Sequence, residues 1–193
     1  MTKILVLTGH PKNDSLCAAL AERYATAAEA AGHSVRRLRL GDIEMDSAPP
    51  DFSKSEREWL ADWVKDAQDD ISWSEHLVLV TPMWWGSVPA ALKHFFDRVL
   101  MPGFALRYTK GGSGWAQLLS GRTARVIITG DTPWFFLRWL YGKPIVKELR
   151  AQVFEFCGFK PVRTTYFGPV VKSTPAGREK WLTEVQGLAT AAQ

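Results

Sequence analysis

Apolar positions along this chain fall into two alternating kinds of segment. Lys3–Thr8, Leu77–Val80 and Thr123–Thr129 are short runs that are apolar at most positions. They are too short for helices and rich in strand formers, and they read as strands buried on both faces. Val35–Leu40 mixes arginines with apolar residues and is placed at a sheet edge, and Val162–Phe167 is the last strand. Between the strands lie stretches with helical spacing. Ser15–Ala31 carries Leu16, Ala19, Leu20, Tyr24 and Ala27 on one stripe, with Asp14 or Ser15 as N-cap and Gly32 as the stop. A helix from Ser53 or Ser55 to Asp70 places Trp59, Leu60, Trp63 and Val64 inward, after a loop broken by Pro49-Pro50. Pro89 opens a helix with Ala91, Leu92, Phe95, Phe96, Val99 and Leu100 on its apolar face. Pro144–Cys157 is a helix stopped by Gly158, and Pro175–Ala189 closes the chain with Trp181, Leu182, Val185 and Leu188 on one face.

Five strands alternating with helices predict an α/β fold: one domain over residues 1–193, a doubly wound five-stranded parallel sheet with helices on both faces. One excursion interrupts the alternation. Phe104–Tyr108 alternates and meets Lys110–Gly114, a glycine-rich turn that suggests a short hairpin.

The candidate chemistry lies in the loops after three strands, which a parallel sheet brings to one edge. His10–Cys17 opens a helix, whose free N–H groups and dipole favour an anion, and Ser15 adds a hydroxyl. Taken alone, Ser15 reads equally well as a plain helix cap; for His10 a turn histidine that satisfies backbone carbonyls is the weaker of its two readings. Pro82–Gly86 contains two adjacent tryptophans, Trp84 and Trp85. Indoles in such a loop suit a flat π-system, and the loop is read as one wall of a site for an aromatic cofactor, with one of the pair free to pack inward. Trp59, Trp63 and Trp181 fall at apolar-face positions and are read as core. The third loop is Gly130–Trp134.

Composition narrows the field without naming the chemistry. With 24 Lys+Arg, 20 Asp+Glu and a net charge of +4, the chain is mildly basic. Its densest cluster, Arg36, Arg37 and Arg39, sits on the edge strand, so no nucleic-acid partner is expected. No two histidines lie at i, i+4 with a carboxylate cluster, so no metal site is expected. The chain lacks G-x-G-x-x-G after its first strand, a phosphate-loop motif and a G-x-S-x-G elbow. Cys17 and Cys157, both in apolar helical surroundings, suit a reducing compartment. The amino terminus runs straight into a strand without a signal-peptide pattern, and no segment has the apolar length of a membrane span. A cytoplasmic location is expected.

Together these motifs carry a resemblance. Gly9-His10-Pro11 with Ser15, Trp73–Val78, Pro82-Met83-Trp84-Trp85, Val88–Lys93, Phe96–Val99, Gly103–Ala105 with Tyr108, and Phe156–Phe159 occur in the order and spacing of the NAD(P)H:quinone oxidoreductase family of flavodoxin-like flavoproteins. The resemblance spans nearly the whole chain. It implies a homodimer that binds FMN or FAD. His10, Ser15, Leu16 and Cys17 would surround the cofactor phosphate. Pro82, Met83, Trp84, Trp85 and Gly86 would border one edge of the flavin ring, and Thr129, Gly130 and Asp131 the other. Leu106, Tyr108 and Trp134 would line the substrate pocket, Leu106 and Tyr108 from the partner subunit. Tyr108 and Trp84 are the candidate catalytic residues.

The chain departs from the family in its third loop. Asp131 replaces a glycine, and no histidine follows; Trp134, Phe135, Phe136 and Tyr141 do instead. The implied activity is two-step hydride transfer from NAD(P)H to a quinone or a similar acceptor. Two other readings stand beside it: a flavodoxin-type electron carrier, which the basic charge disfavours, and a flavin-binding regulatory subunit of a transport system. Residues Trp134–Tyr141 either close the pocket or present an apolar patch to a partner. Arg178 is a candidate contact for an adenylate phosphate, which FAD alone would bring, and otherwise a solvated surface arginine.

Overall fold

A computed structural model describes residues 1–49, 59–109 and 114–191. Five parallel strands form one sheet: β1 (Lys3–Thr8), β2 (Ser34–Arg39), β3 (His76–Pro82), β6 (Thr123–Thr129) and β7 (Val162–Phe167), in the order β2-β1-β3-β6-β7. Alternation along each strand divides the core in two. Leu5, Leu7, Leu77, Leu79, Ala124, Val126 and Ile128 face one side, packed with α2 (Asp62–Trp73) and α3 (Ala90–Val99). Ile4, Val6, Val78, Val80 and Ile127 face the other, covered by α1 (Leu16–Ala30) and α7 (Pro175–Thr190). Both faces of the central strands are therefore buried, which is why they read as continuous apolar runs. The helices on both faces make this the doubly wound arrangement expected.

Several boundaries move, each for a local reason. β3 extends through Pro82, because Met83 N–H still donates to Thr129 O at 2.7 Å and keeps the two strands together. Proline is tolerated at that strand's last position, where it forfeits one donor only. α1 begins after Ser15, whose Oγ accepts from Ala18 N–H at 3.2 Å, so Ser15 and not Asp14 is the cap. α3 begins at Ala90 with Pro89 as its flanking residue. The expected helix over 144–157 is α5 (Pro144–Lys147), a π-helical segment (Glu148–Phe154) and α6 (Glu155–Cys157) in succession. Leu40 leaves β2 for a 3-10 turn (Leu40–Asp42).

Trp59 corrects the expectation of a core tryptophan. It is 67% exposed and precedes α2, whose first turn carries Asp62. The proposed start of that helix and the Lys110–Ser113 turn lie outside the described residues. The excursion is a hairpin as expected, β4 (Leu106–Tyr108) antiparallel to β5 (Trp115–Gln117). It is pinned to α6 by Trp115 Nε1–H and Gln117 Nε2–H, which donate to the carbonyls of Phe156 and Glu155. A six-residue helix, α4 (Trp134–Trp139), follows β6. No helix among the described residues is long and apolar enough to cross a membrane.

Candidate functional site

The sheet order reverses between β1 and β3, and the loops that leave β1, β3 and β6 open there at the carboxyl edge, where open parallel sheets place their ligands. A cleft of about 230 Å³ joins all three loops. The first loop supplies His10, Ser15, Leu16 and Cys17; β3 and its loop supply Pro82, Met83 and Trp84; β6 and its loop supply Thr129, Gly130 and Asp131. A second cavity of about 570 Å³ shares Met83 and Asp131 with the cleft and is also lined by Trp85, Gly86, Leu137 and Tyr141. That volume falls in the range of small-molecule sites.

At the first loop, Ser15 caps α1 and leaves the Leu16 and Cys17 N–H groups without an acceptor among the described residues. Unpaired first-turn donors at a helix start suit an anion. His10 Nδ1 accepts from Lys12 N–H at 2.9 Å, so the neutral ring carries its proton on Nε2 and has a donor to spare. Its ring meets Trp84 edge-on, with centroids 5.5 Å apart. Burial lowers the His10 pKa, and the charge of Lys12 lowers it further. Cys17 is an apolar wall. Burial raises its thiol to a pKa of about 11, and its Sγ lies 3.2 Å from Thr129 Oγ1.

The second loop is a tight turn. Trp84 N–H donates to Ser87 O at 2.9 Å, and Ser87 N–H returns to Trp84 O at 3.0 Å. The two central residues, Trp85 and Gly86, both have positive φ, at 52° and 81°. Such a turn suits glycine second, yet places a tryptophan first, in a region that bulky residues avoid. Trp85 is 105% exposed and buries nothing within its own chain. Ser87 Oγ donates to Glu148 Oε2 at 2.7 Å, tying the turn to the π-helical segment.

In the third loop, Gly130 has no room for a side chain. A Cβ there would stand 2.8 Å from Tyr166 Oη and 3.1 Å from Met83 Cε. Gly130 N–H donates to Phe167 O at 3.0 Å. Asp131 Oδ1 accepts from Val171 N–H at 2.6 Å, so its carboxylate is tied to the segment after β7 while still lining both cavities. Tyr166 donates to Thr132 O at 2.6 Å; burial, then the charge of Asp131, raises its pKa to about 12.

The backbone donors of these two loops divide. The Trp84 and Gly130 N–H groups are satisfied within the protein and do not face the site. Trp85, Gly86 and Asp131 N–H have no acceptor among the described residues. The expected pocket residues also divide. Leu106 is buried beside a separate cavity, with Phe96, Leu100 and Phe156. Tyr108 is 66% exposed, and with Trp134 it lines neither part of the cleft. Trp134 rests instead on Tyr166, with centroids 5.5 Å apart. Arg178 Nε–H donates to Ser173 Oγ at 2.8 Å. Leu137 and Val170, which complete the walls, escaped the sequence reading because neither has any chemistry that marks it.

A profile of the family described as "Flavodoxin-like fold" matches residues 2–188. The chain belongs to the flavodoxin-like family. The chain is similar to an "Uncharacterized NAD(P)H oxidoreductase" of Haemophilus influenzae, 29% identical over 55% of this chain and 52% of that one. It is also similar to an "FMN-dependent NADH:quinone oxidoreductase" of Ruegeria pomeroyi, 26% identical over 67% of this chain and 70% of that one. This flavodoxin-like chain thus spans roughly half to two thirds of the length of these relatives. The crystal structure of Smu.1420 from Streptococcus mutans is 29% identical, with a TM-score of 0.84 over 98% of this chain and 99% of that one.

A flavin mononucleotide fits the groups present. The anion end has two free helix N–H groups, a hydroxyl and an imidazole N–H. The wider cavity has an aromatic side chain, Trp85, with no contact of its own to satisfy, and free N–H groups beside it.

Proposed function

We propose that this chain is a flavin-dependent NAD(P)H oxidoreductase that reduces quinones or similar small electrophilic acceptors. The observation that carries the reading is an anion-binding helix start beside a wider, aromatic-edged cavity at the sheet's switch point, with Met83 and Asp131 in the walls of both. The name of the Ruegeria relative supports FMN as the flavin and NADH as the reductant. Arg178 donates its Nε–H to Ser173 Oγ, which does not decide between FMN and FAD.

Bound there, the flavin supplies two-electron transfer between nicotinamide and acceptor, and the protein supplies position and field. Leu16 and Cys17 N–H, with Ser15 Oγ and His10 Nε2–H, hold the phosphate. The phosphate's charge favours the imidazolium and so opposes the lowering of the His10 pKa by burial. The turn at Trp84–Ser87 would offer the Trp85 indole and the unpaired Trp85 and Gly86 N–H groups to a bound flavin, the N–H groups as donors to negative charge. Pro82, Met83, Thr129 and Gly130 line the cleft between the two loops. Asp131, held by Val171, keeps one negative charge near the site and thereby disfavours a second.

Tyr108 stands outside its own chain's cleft, exposed on a hairpin. In our reading a second copy brings Tyr108 to the acceptor, so the working unit is a homodimer. Two buried free cysteines fit a reducing, cytoplasmic setting. The test is turnover: NADH or NADPH oxidation with a short-chain quinone, by the purified protein supplied with FMN. Rapid oxidation without any partner protein supports the enzyme over an electron carrier or a regulatory subunit. Flavin binding with no quinone-dependent oxidation overturns it.

A further inference from the structure

One segment of the surface is not absorbed by the cleft. Leu137 is the only member of residues 134–141 that packs inward. Trp134, Phe135, Phe136, Trp139, Leu140 and Tyr141 are all exposed, Phe135 at 65% and Trp139 at 69%. Large apolar residues scattered singly on a surface are ordinary, but six within one short helix and its end mark a docking surface. The charge around them is one-sided. Between Asp131 and Glu148 the chain carries Arg138, Lys143 and Lys147 and no acidic residue. Arg138 lies over the Trp139 ring, 5.0 Å from its centroid, and Lys147 Nζ reaches back to within 3.5 Å of where a Gly142 Cβ would stand. None of the three cations has an acidic partner among the described residues.

Exposed indoles, phenyl rings and a tyrosine edged by arginine and lysine are the composition of segments that lie in a membrane interface. The tryptophans and tyrosine sit at headgroup depth, the phenyl rings enter the acyl boundary, and the cations meet anionic headgroups. A second copy of the same patch would bring like charges face to face, which disfavours self-association through it. We infer that residues 134–141, with Arg138 and Lys147, form a peripheral docking surface for an anionic lipid bilayer. The same segment supplies Leu137 and Tyr141 to the wall of the larger cavity. Docked this way, the chain sits at the surface of the bilayer, where tailed quinones reside. That use of the surface rests on the quinone-reductase reading; the docking itself does not.

The test is co-sedimentation of the purified protein with phosphatidylcholine vesicles and with vesicles that also contain phosphatidylglycerol, followed by tryptophan fluorescence. Binding is expected to the anionic vesicles, with a blue shift, and to weaken in high salt. Arg138→Ala is expected to weaken partitioning about fivefold, the equivalent of ~1 kcal/mol for one cation at the surface. The Phe135→Ala/Trp139→Ala variant removes exposed rings, opens no core, and is expected to lose about tenfold or more. Both variants are expected to reduce a water-dispersed quinone at the normal rate and to lose activity on a tailed quinone held in vesicles. Absent binding, or binding that neither variant alters, overturns the proposal. So does a dimer that Phe135→Ala/Trp139→Ala converts to monomer, which would make the patch a self-interface. Vesicle binding by a protein that takes up no flavin would leave the docking intact and sink the flavin reading alone.

Discussion

Trp85 offers the sharpest separation of folding from function. Its φ of 52° lies in the left-handed region, which costs an L-residue with a bulky side chain roughly 1–2 kcal/mol. No burial offsets that cost, because the residue is fully exposed. Trp85→Asn keeps the turn and, with Gly86 behind it, gives the Asn-Gly pair that two-residue turns of this kind favour. The substitution should therefore stabilise the apo protein by about 1 kcal/mol, which raises Tm by about 2–4 °C for a chain of this size. The same change removes an aromatic face from the larger cavity. Offset stacking is worth about 0.5–1.5 kcal/mol beyond area burial, so FMN should bind roughly tenfold more weakly. Calorimetric melting of the apo protein and fluorescence titration with FMN read the two effects separately. A lower Tm would show that Trp85 is held by contacts and not against its preference. An unchanged FMN affinity would show that its indole is not part of the cofactor site.

Three further outcomes follow from the geometry. Ser15→Ala removes a helix cap and a hydroxyl from the anion end. It should destabilise the protein by about 1 kcal/mol and shrink the preference for FMN over riboflavin, as measured by parallel titrations. His76 is buried between Thr123 Oγ1 at 2.6 Å and Tyr24 Oη at 3.4 Å; burial first, then the charges of Arg125, Arg163 and His33, lowers its pKa from 6.5 to about 4. Its contribution is complete above pH 6.5 and falls as the pH drops toward 4, where the unfolded chain is protonated and the native one is not; the loss is on the order of 3 kcal/mol. Urea unfolding across that window should show the slope, and His76→Gln should flatten it. Cys17 and Cys157, both raised to about 11 by burial, should resist iodoacetamide at neutral pH until the protein is unfolded; rapid alkylation of the native protein would contradict their placement.

The sheet was legible in the sequence because its strands are buried on both sides and so leave unbroken apolar runs. Lys3–Thr8, Thr123–Thr129 and Val162–Phe167 are found where their patterns put them. The three loops were legible because a parallel sheet brings the strands' carboxyl ends together, whatever the loops contain. What pattern could not supply was the fate of individual groups. Trp59 has the spacing of a core residue but lies before its helix begins and stays exposed. No sequence pattern shows that the Trp84 and Gly130 N–H groups are taken up by Ser87 O and Phe167 O. The π-helical segment has no period that distinguishes it from an α-helix, yet Glu148 in its first turn holds the tryptophan turn through Ser87. Asp131 stands in the walls of both cavities, and pattern alone could not show that Val171 N–H, contributed from beyond the last strand, also anchors its carboxylate.

The central claim is that three loops at the sheet's switch point form one flavin site, and titration of FMN into the purified protein tests it most directly. The account predicts saturable quenching of flavin fluorescence with one FMN per chain, weakened in parallel by Ser15→Ala at one end of the site and Trp85→Asn at the other. Failure to take up either FMN or FAD, or uptake indifferent to both substitutions, would contradict it.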